Sequence, residues 1–174
     1  RSELAVKEAL VARDRTNRQY QQHLANAHAF MGELLVVEGN VSAAFPALRT
    51  SRTMFAALAA ADTSNPERIR VLANADRLLG MAALEQGDAA RAHRDLRSSA
   101  AMIEGLIARS PSNRLWLYSS ARTSTLLGLA LAEAGRIREG EDQVRRALAV
   151  AVPGLSARPG DQNLRVAVTD AYLS

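Results

Sequence analysis

The sequence predicts an all-α fold of stacked antiparallel helical hairpins, and three observations lead to this prediction. Two glycines seven residues apart, with apolar residues between them, recur three times at a fixed spacing of 48 residues, which is typical of repeat proteins. The chain is 48% apolar but only 4% aromatic, and its alanine and leucine favour close-packed helices. Apolar residues recur every three or four positions between the turns. The six glycines are Gly32, Gly39, Gly80, Gly87, Gly128 and Gly135.

Composition narrows the classes of function. The 174 residues include no cysteine, which excludes disulfides and thiolate chemistry. No apolar run approaches the roughly 20 residues that cross a membrane, and no signal peptide is visible. The 22 basic residues are interspersed with 18 acidic ones, which indicates a mixed solvated surface. We therefore expect a cytoplasmic protein that does not bind membranes.

The spacing of the glycines divides the chain into three full units and two partial ones. Because a repeat unit buries its apolar face only against a neighbour, we expect the parent chain to continue the array or the fragment to form a homo-oligomer through its ends. The predicted divisions are 1–16 (the second helix of a partial unit), 17–64, 65–112 and 113–162 (full units), and 163–174 (the start of a fourth).

The first unit follows a short helix predicted over residues 2–13. Its two helices are predicted over 18–38 and 41–61, and Gly39-Asn40 separates them because both residues tolerate the left-handed conformation of a helix end. Pro46 lies within the first two turns of the returning helix, where it either shifts the start or bends the helix.

The second and third units repeat this plan. In the second, Asn65 is a candidate N-cap before a proline, and helices are predicted over 66–86 and 89–109. The third is predicted to return through 137–152 and to be interrupted at Pro153-Gly154. Asn163 lies 50 residues after Asn113 rather than 48, so a two-residue insertion is expected near this break.

The three units resemble the tetratricopeptide repeat. In that family a large apolar residue precedes a small one where the two helices of a hairpin approach closely, and a Gly-Asp or Gly-Asn turn follows. Here the corresponding residues are Met31, Leu79 and Leu127 (large), Gly32, Gly80 and Gly128 (small), and Gly39, Gly87 and Gly135 (turn). The resemblance covers about residues 17–160 and implies a right-handed α-solenoid.

Two features depart from the family pattern. The usual unit has about 34 residues, whereas this one has 48. The proline that the family carries near the end of the second helix is replaced by Ala56, Glu104 and Val152. We therefore expect helices of about 20 residues, or about 30 Å, in the first two units.

The resemblance also implies a function. Repeats of this family bind a peptide or a helix of another protein in a groove lined by the first helices, and long-helix variants occur in bacterial signalling proteins, for example beside a Ser/Thr kinase domain. We therefore expect a non-catalytic scaffold or regulatory region. The predicted groove residues are Asn26, Glu33, Asn74, Arg77, Met81, Leu84, Arg122 and Thr125.

The sequence favours other kinds of site less than a peptide-binding groove. Leu78 stands where family members that clamp a terminal carboxylate have asparagine, which disfavours that mode. His23 and His28 are five residues apart and point away from each other on a helix, so we expect no metal site, and no nucleophile or phosphate loop indicates an enzyme or a cofactor. The alternatives that stay open are a self-assembling module and a nucleic-acid-binding one. The densest arginine cluster, around Arg136 and Arg145, is interleaved with acidic residues, which disfavours nucleic acid.

Overall fold

A computed structural model describes residues 3–173, and these form eight α-helices and no strand. The prediction of an all-α fold is confirmed. The helices are α1 (Glu3–Arg13), α2 (Arg18–Val37), α3 (Val41–Ala60), α4 (Pro66–Glu85), α5 (Ala89–Arg109), α6 (Arg114–Glu133), α7 (Ile137–Ala157) and α8 (Gln162–Leu173).

Neighbouring helices pack in sequence order. The pairs α2–α3, α4–α5 and α6–α7 form three antiparallel hairpins, here called hairpins 1, 2 and 3. Each first helix also contacts the next one, from α2 through α4 and α6 to α8, whereas no contact joins α3 to α5 or α5 to α7 within the described residues. The first helices therefore lie on the shorter side of the array, which we call the inner face.

Side-chain caps set where the first helices begin. The amide oxygens of Asn17, Asn65 and Asn113 each accept a backbone hydrogen bond from the first turn that follows, as N-cap residues do. Asp161 takes the same place before α8, since its carboxylate accepts from the N–H of Leu164 at 3.2 Å. Because Asp161 keeps the 48-residue spacing, the expected two-residue insertion is wrong.

The expected interruption at Pro153-Gly154 is also wrong. Helix α7 continues through both residues to Ala157 and has 21 residues, as α5 does. A proline inside a helix removes one N–H donor, and the packing of α7 against α8 outweighs that loss. A Cβ at Gly154 would lie 2.8 Å from Cδ1 of Leu164, so this glycine allows a close approach to α8. Pro46 likewise lies inside α3, which begins at Val41.

The paired glycines have two different structural roles. A Cβ added to Gly80 would lie 2.5 Å from Cγ of Leu96 on the partner helix, so only glycine permits this packing distance. Gly87 has a φ of +77°, and the following N–H, that of Asp88, donates to the carbonyl of Ala83 at 2.9 Å. This bond closes the left-handed helix end. The other two hairpins repeat both features at Gly32, Gly128, Gly39 and Gly135.

The largest hydrophobic core runs through hairpins 1 and 2 and reaches α6. Its fully buried side chains include Leu48 and Phe55 of α3, Leu78 of α4 and Leu96 of α5. None of the described helices combines the length and the hydrophobicity that a membrane-spanning segment requires.

Candidate interaction surface

The inner face carries the predicted groove residues, at positions that repeat every 48 residues on α2, α4 and α6. Their exposure differs, and this determines what each can offer to a ligand. Asn26 is exposed, Glu33, Asn74, Met81, Leu84 and Arg122 are partly buried, and Arg77 and Thr125 are buried.

Four of these residues meet Tyr118 in a polar cluster across three first helices, which we call the arginine cluster (Glu33, Asn74, Arg77, Tyr118 and Arg122). Nε and Nη2 of Arg77 donate to Oδ1 of Asn74 at 3.2 and 3.1 Å. Nη2 also lies 3.5 Å from Oε1 of Glu33 on α2. Nη1 is buried and has no hydrogen-bond partner within the described residues. The guanidinium is therefore incompletely paired.

The electrostatics of the cluster follow from this arrangement. The pKa of Arg77 is lowered to about 10, mainly by burial and secondly by the positive charge of Arg122, while the carboxylate of Glu33 opposes both effects. Because this pKa lies well above neutral pH, Arg77 keeps its charge there. The guanidinium of Arg122 lies 5.6 Å from the ring centroid of Tyr118, a distance at which a cation–π attraction operates. Two cations thus share one region with a single carboxylate.

Thr125 is placed differently from the other groove residues. Its side chain is 4% exposed, and its hydroxyl donates to the carbonyl of Ala121 in the same helix at 3.0 Å. Its only donor is therefore already used within α6.

Beside the arginine cluster, a cleft of about 230 Å³ opens between α4 and α6, and its walls combine apolar side chains with two carboxylates. We call it the inner cleft, and it is lined by Met81, Leu84, Glu85, Leu126, Leu129 and Glu133. Met81 and Leu84 are among the predicted groove residues, whereas Glu85 is not. Its signal was present in the sequence, because Glu85 and Glu133 occupy the same repeat position at the ends of two helices, where acidic residues are unfavourable.

Two larger clefts lie at the ends of the array. One of about 510 Å³ lies between α1 and α2 and includes Asn26 and Phe30; the other, of about 430 Å³, lies between α6 and α7. Phe30 is 70% exposed, whereas its repeat counterpart Leu78 is 1% exposed because hairpin 1 packs beside it. The end clefts are thus the places where another hairpin would pack, and Asn26 lies apart from the arginine cluster.

The arginine-rich segment at the start of α7 is paired locally. Arg136 forms a two-bond ion pair with Glu139 at 2.8 and 2.6 Å, and Arg145 pairs with Asp142. Both pairs are exposed, and they reduce the positive field that a phosphate backbone would meet.

The sequence matches no family model, and it matches no curated protein.

Proposed function

We propose that this chain is a non-catalytic protein–protein interaction module, a right-handed solenoid of the tetratricopeptide-repeat kind that binds a segment of another protein on its inner face. The observation that carries the proposal is the inner cleft, because it leaves apolar side chains of two hairpins open to a ligand. The same surface carries the incompletely paired arginine cluster. A surface that combines apolar and polar side chains in this way is typical of non-obligate protein interfaces.

The repeated architecture supports the same proposal. Met81 and Leu84 come from α4, and Leu126 and Leu129 come from α6, so the ligand surface exists only when two hairpins are stacked. A stacked array holds such a surface in place with the many contacts between its helices. Little reorganisation is then required on binding, which favours affinity.

Site-specific photo-crosslinking tests the proposal. A photoreactive amino acid is placed at Leu84 or Leu129 on the inner face, and at Arg97 or Glu104, which are exposed on α5, as matched controls. After irradiation in a lysate of the source organism, we expect crosslinks to a protein segment from the inner positions only. Mass spectrometry then identifies the partner residue.

Two outcomes of this experiment would contradict the proposal. Crosslinks confined to α5, or no crosslink from any folded variant, would exclude the inner face as the binding surface. Circular dichroism of each variant establishes that the helices have formed. Arg77 is unsuitable as a probe because it is buried, and its substitution would change stability together with binding.

A further inference from the structure

Charged and apolar side chains follow the same order along α4 and α6. Residues four or seven apart lie on the same side of a helix, so each series forms a single stripe. The series are Arg77, Met81 and Glu85 on α4, and Arg122, Leu126, Leu129 and Glu133 on α6. Both helices are first helices of their hairpins and run in the same direction. The inner surface of hairpins 2 and 3 therefore has a basic end, an apolar middle and an acidic end.

The acidic end does not serve the stability of the fold. Glu85 and Glu133 are the last residues of α4 and α6, where the helix dipoles already concentrate partial negative charge. Both carboxylates border the inner cleft, and neither has a salt-bridge partner within the part of the chain that the structure describes. This end of the cleft therefore attracts a cation.

The basic end has the opposite character. Arg122 is partly exposed on α6, and Arg77 adds a second positive charge from a buried position. The carboxylate of Glu33 lies 3.5 Å from Arg77 and is the salt-bridge partner of that residue within the described range, where Nη1 of Arg77 has no acceptor. An anion beside Arg122 would reduce this excess of positive charge.

The distances set the length of the ligand segment. At the rise of an α-helix, Arg77 and Glu85 are separated by about 12 Å and Arg122 and Glu133 by about 16 Å along the helix axes. An extended chain covers about 13 Å in four residue steps. The inner cleft, which the carboxylates of the acidic end border, holds about 230 Å³, and this volume accommodates a single large apolar side chain rather than the face of a helix.

We propose that the inner face of hairpins 2 and 3 binds an extended peptide segment in which an acidic residue, an apolar residue and a basic residue follow one another at two-residue spacing. The acidic side chain pairs with Arg122, the apolar side chain enters the inner cleft, and the basic side chain pairs with Glu85 and Glu133. The inference rests on the proposed function, and it names the chemistry of the partner.

Selection from a random library of linear twelve-residue peptides tests this inference. The chain is immobilised, bound phage are recovered, and the enriched sequences are read. We expect an acidic and a basic residue four positions apart, with a large apolar residue between them. A synthetic peptide of the enriched sequence is then titrated by fluorescence anisotropy against Arg122→Glu and against the double variant Glu85→Lys/Glu133→Lys. Each should raise Kd by about tenfold or more, and added salt should weaken binding to the parent chain.

Charge exchange sharpens the test. In a variant with all three substitutions, a peptide whose acidic and basic residues have been exchanged should bind more tightly than the original peptide does. Glu104→Lys and Arg97→Glu are matched controls, since both residues are exposed on α5 and their reversal should leave Kd unchanged. Circular dichroism establishes that every variant has folded.

Several outcomes would overturn the inference. These are enriched peptides without the charge order, peptides with the helical three- and four-residue spacing, no enrichment at all, or equal affinity for the parent chain and the reversed variants. Sedimentation that shows self-association of the parent chain, abolished by Arg122→Glu, would assign the surface to a second copy instead. Crosslinking from Leu84 and Leu129 judges the proposed function separately, because it requires no particular ligand charge.

Discussion

The junction between hairpins 1 and 2 and the junction between hairpins 2 and 3 use the same positions of the repeat but different polar groups. At the first junction, ion pairs link the hairpins: Arg52 of α3 with Asp76 of α4, and Glu33 of α2 with Arg77 of α4. Within the described residues, no ion pair joins α6 to α4 or α5 at the second. The two junctions therefore differ in charge although they share one backbone plan.

The first junction is centred on a buried carboxylate. Asp76 is 2% exposed and accepts hydrogen bonds from Nε of Arg52 at 2.7 Å and from the hydroxyl of Ser98 at 2.6 Å. Ser51 precedes Arg52 in the sequence, and its hydroxyl is buried without a hydrogen-bond partner. This junction thus pairs its buried carboxylate and leaves the hydroxyl of Ser51 unpaired.

The second junction has the reverse arrangement. Ser99, the counterpart of Ser51, shares a hydrogen bond of 3.3 Å with Thr123, whereas the first junction has Ala75 at the position of Thr123. Ser124 occupies the position of Asp76, and Ala100 occupies the position of Arg52. The comparison indicates that buried polar pairs differ from junction to junction, while the glycines and apolar positions recur.

The largest expected effect comes from Arg52→Ala, which leaves the buried carboxylate of Asp76 without its cation. Arg52 is half-exposed, so we expect a loss of about 2–3 kcal/mol in the free energy of unfolding, near or below the lower end for broken buried pairs. Urea denaturation measures it. Asp76→Ser added to Arg52→Ala makes both positions neutral and small, as they are at the second junction, and should recover most of the loss. A double variant as unstable as the single one would show that the buried charge is not the cause.

Gly80→Ala tests the feature that the junctions share with every hairpin. The new Cβ would lie 2.5 Å from Cγ of Leu96, and overpacking of this kind costs about 1–3 kcal/mol. Gly105→Ala is the matched control, because no atom lies within 4 Å of its added Cβ, and it should stabilise the protein by up to about 1 kcal/mol through helix propensity. Thermal unfolding followed by circular dichroism compares them. Equal changes in stability for Gly80→Ala and Gly105→Ala would contradict a close approach of the helices at Gly80.

The two buried serines should respond with opposite signs to the same substitution. Ser51→Ala removes an unpaired hydroxyl and should stabilise the protein by about 1 kcal/mol, whereas Ser99→Ala leaves Thr123 unpaired and should cost about 1 kcal/mol. Denaturant midpoints of the two variants, measured side by side, check the signs. A loss of similar size in both would contradict the difference in pairing.

The smallest expected effect is on the free energy of unfolding at alkaline pH, and it depends on Arg77. Its pKa is about 10 in the folded protein, which is well below the pKa of an ordinary arginine in the unfolded chain. Between these values the unfolded chain binds more protons, so this group makes stability rise with pH. Arg77→Met should lack that rise, so the free energy of unfolding of the variant minus that of the parent chain should be lower at about pH 11 than at about pH 9. Urea titrations at both values measure the difference, and a constant difference would contradict the lowered pKa.

The sequence predicted the turns correctly, because the residues that end a helix act locally and recur in every unit. The turns at Gly39, Gly87 and Gly135 were located because only a left-handed position followed by a polar residue ends a helix in this way. The helix break expected at Pro153 is wrong, because the rule for proline is also local and does not include the contacts with α8. These contacts outweigh one missing hydrogen bond. The N-cap at Asp161 was missed because an asparagine two residues later matched the earlier caps more closely.

The candidate site was predicted less completely than the fold. The resemblance to the tetratricopeptide repeat, counted from the shared glycine, implies that Met81 and Leu84 line the groove. It did not indicate that Arg77 would be buried while Arg122 stays partly exposed, because the burial of a side chain depends on the neighbours that pack over it. For the same reason the sequence does not distinguish Glu85 from other surface charges. Only the structure shows that Glu133 lies on the other side of the cleft.

The sequence by itself determined an all-α chain of hairpins, because turn chemistry and apolar periodicity act within a few residues and recur every 48. The tertiary structure alone decided which polar groups meet: Asp76 with Arg52, Ser99 with Thr123, and Glu85 with Glu133 at the cleft between α4 and α6. Such pairs join residues from different helices, and their strength depends on distance and on exclusion of water. Those two quantities exist only once the hairpins have stacked.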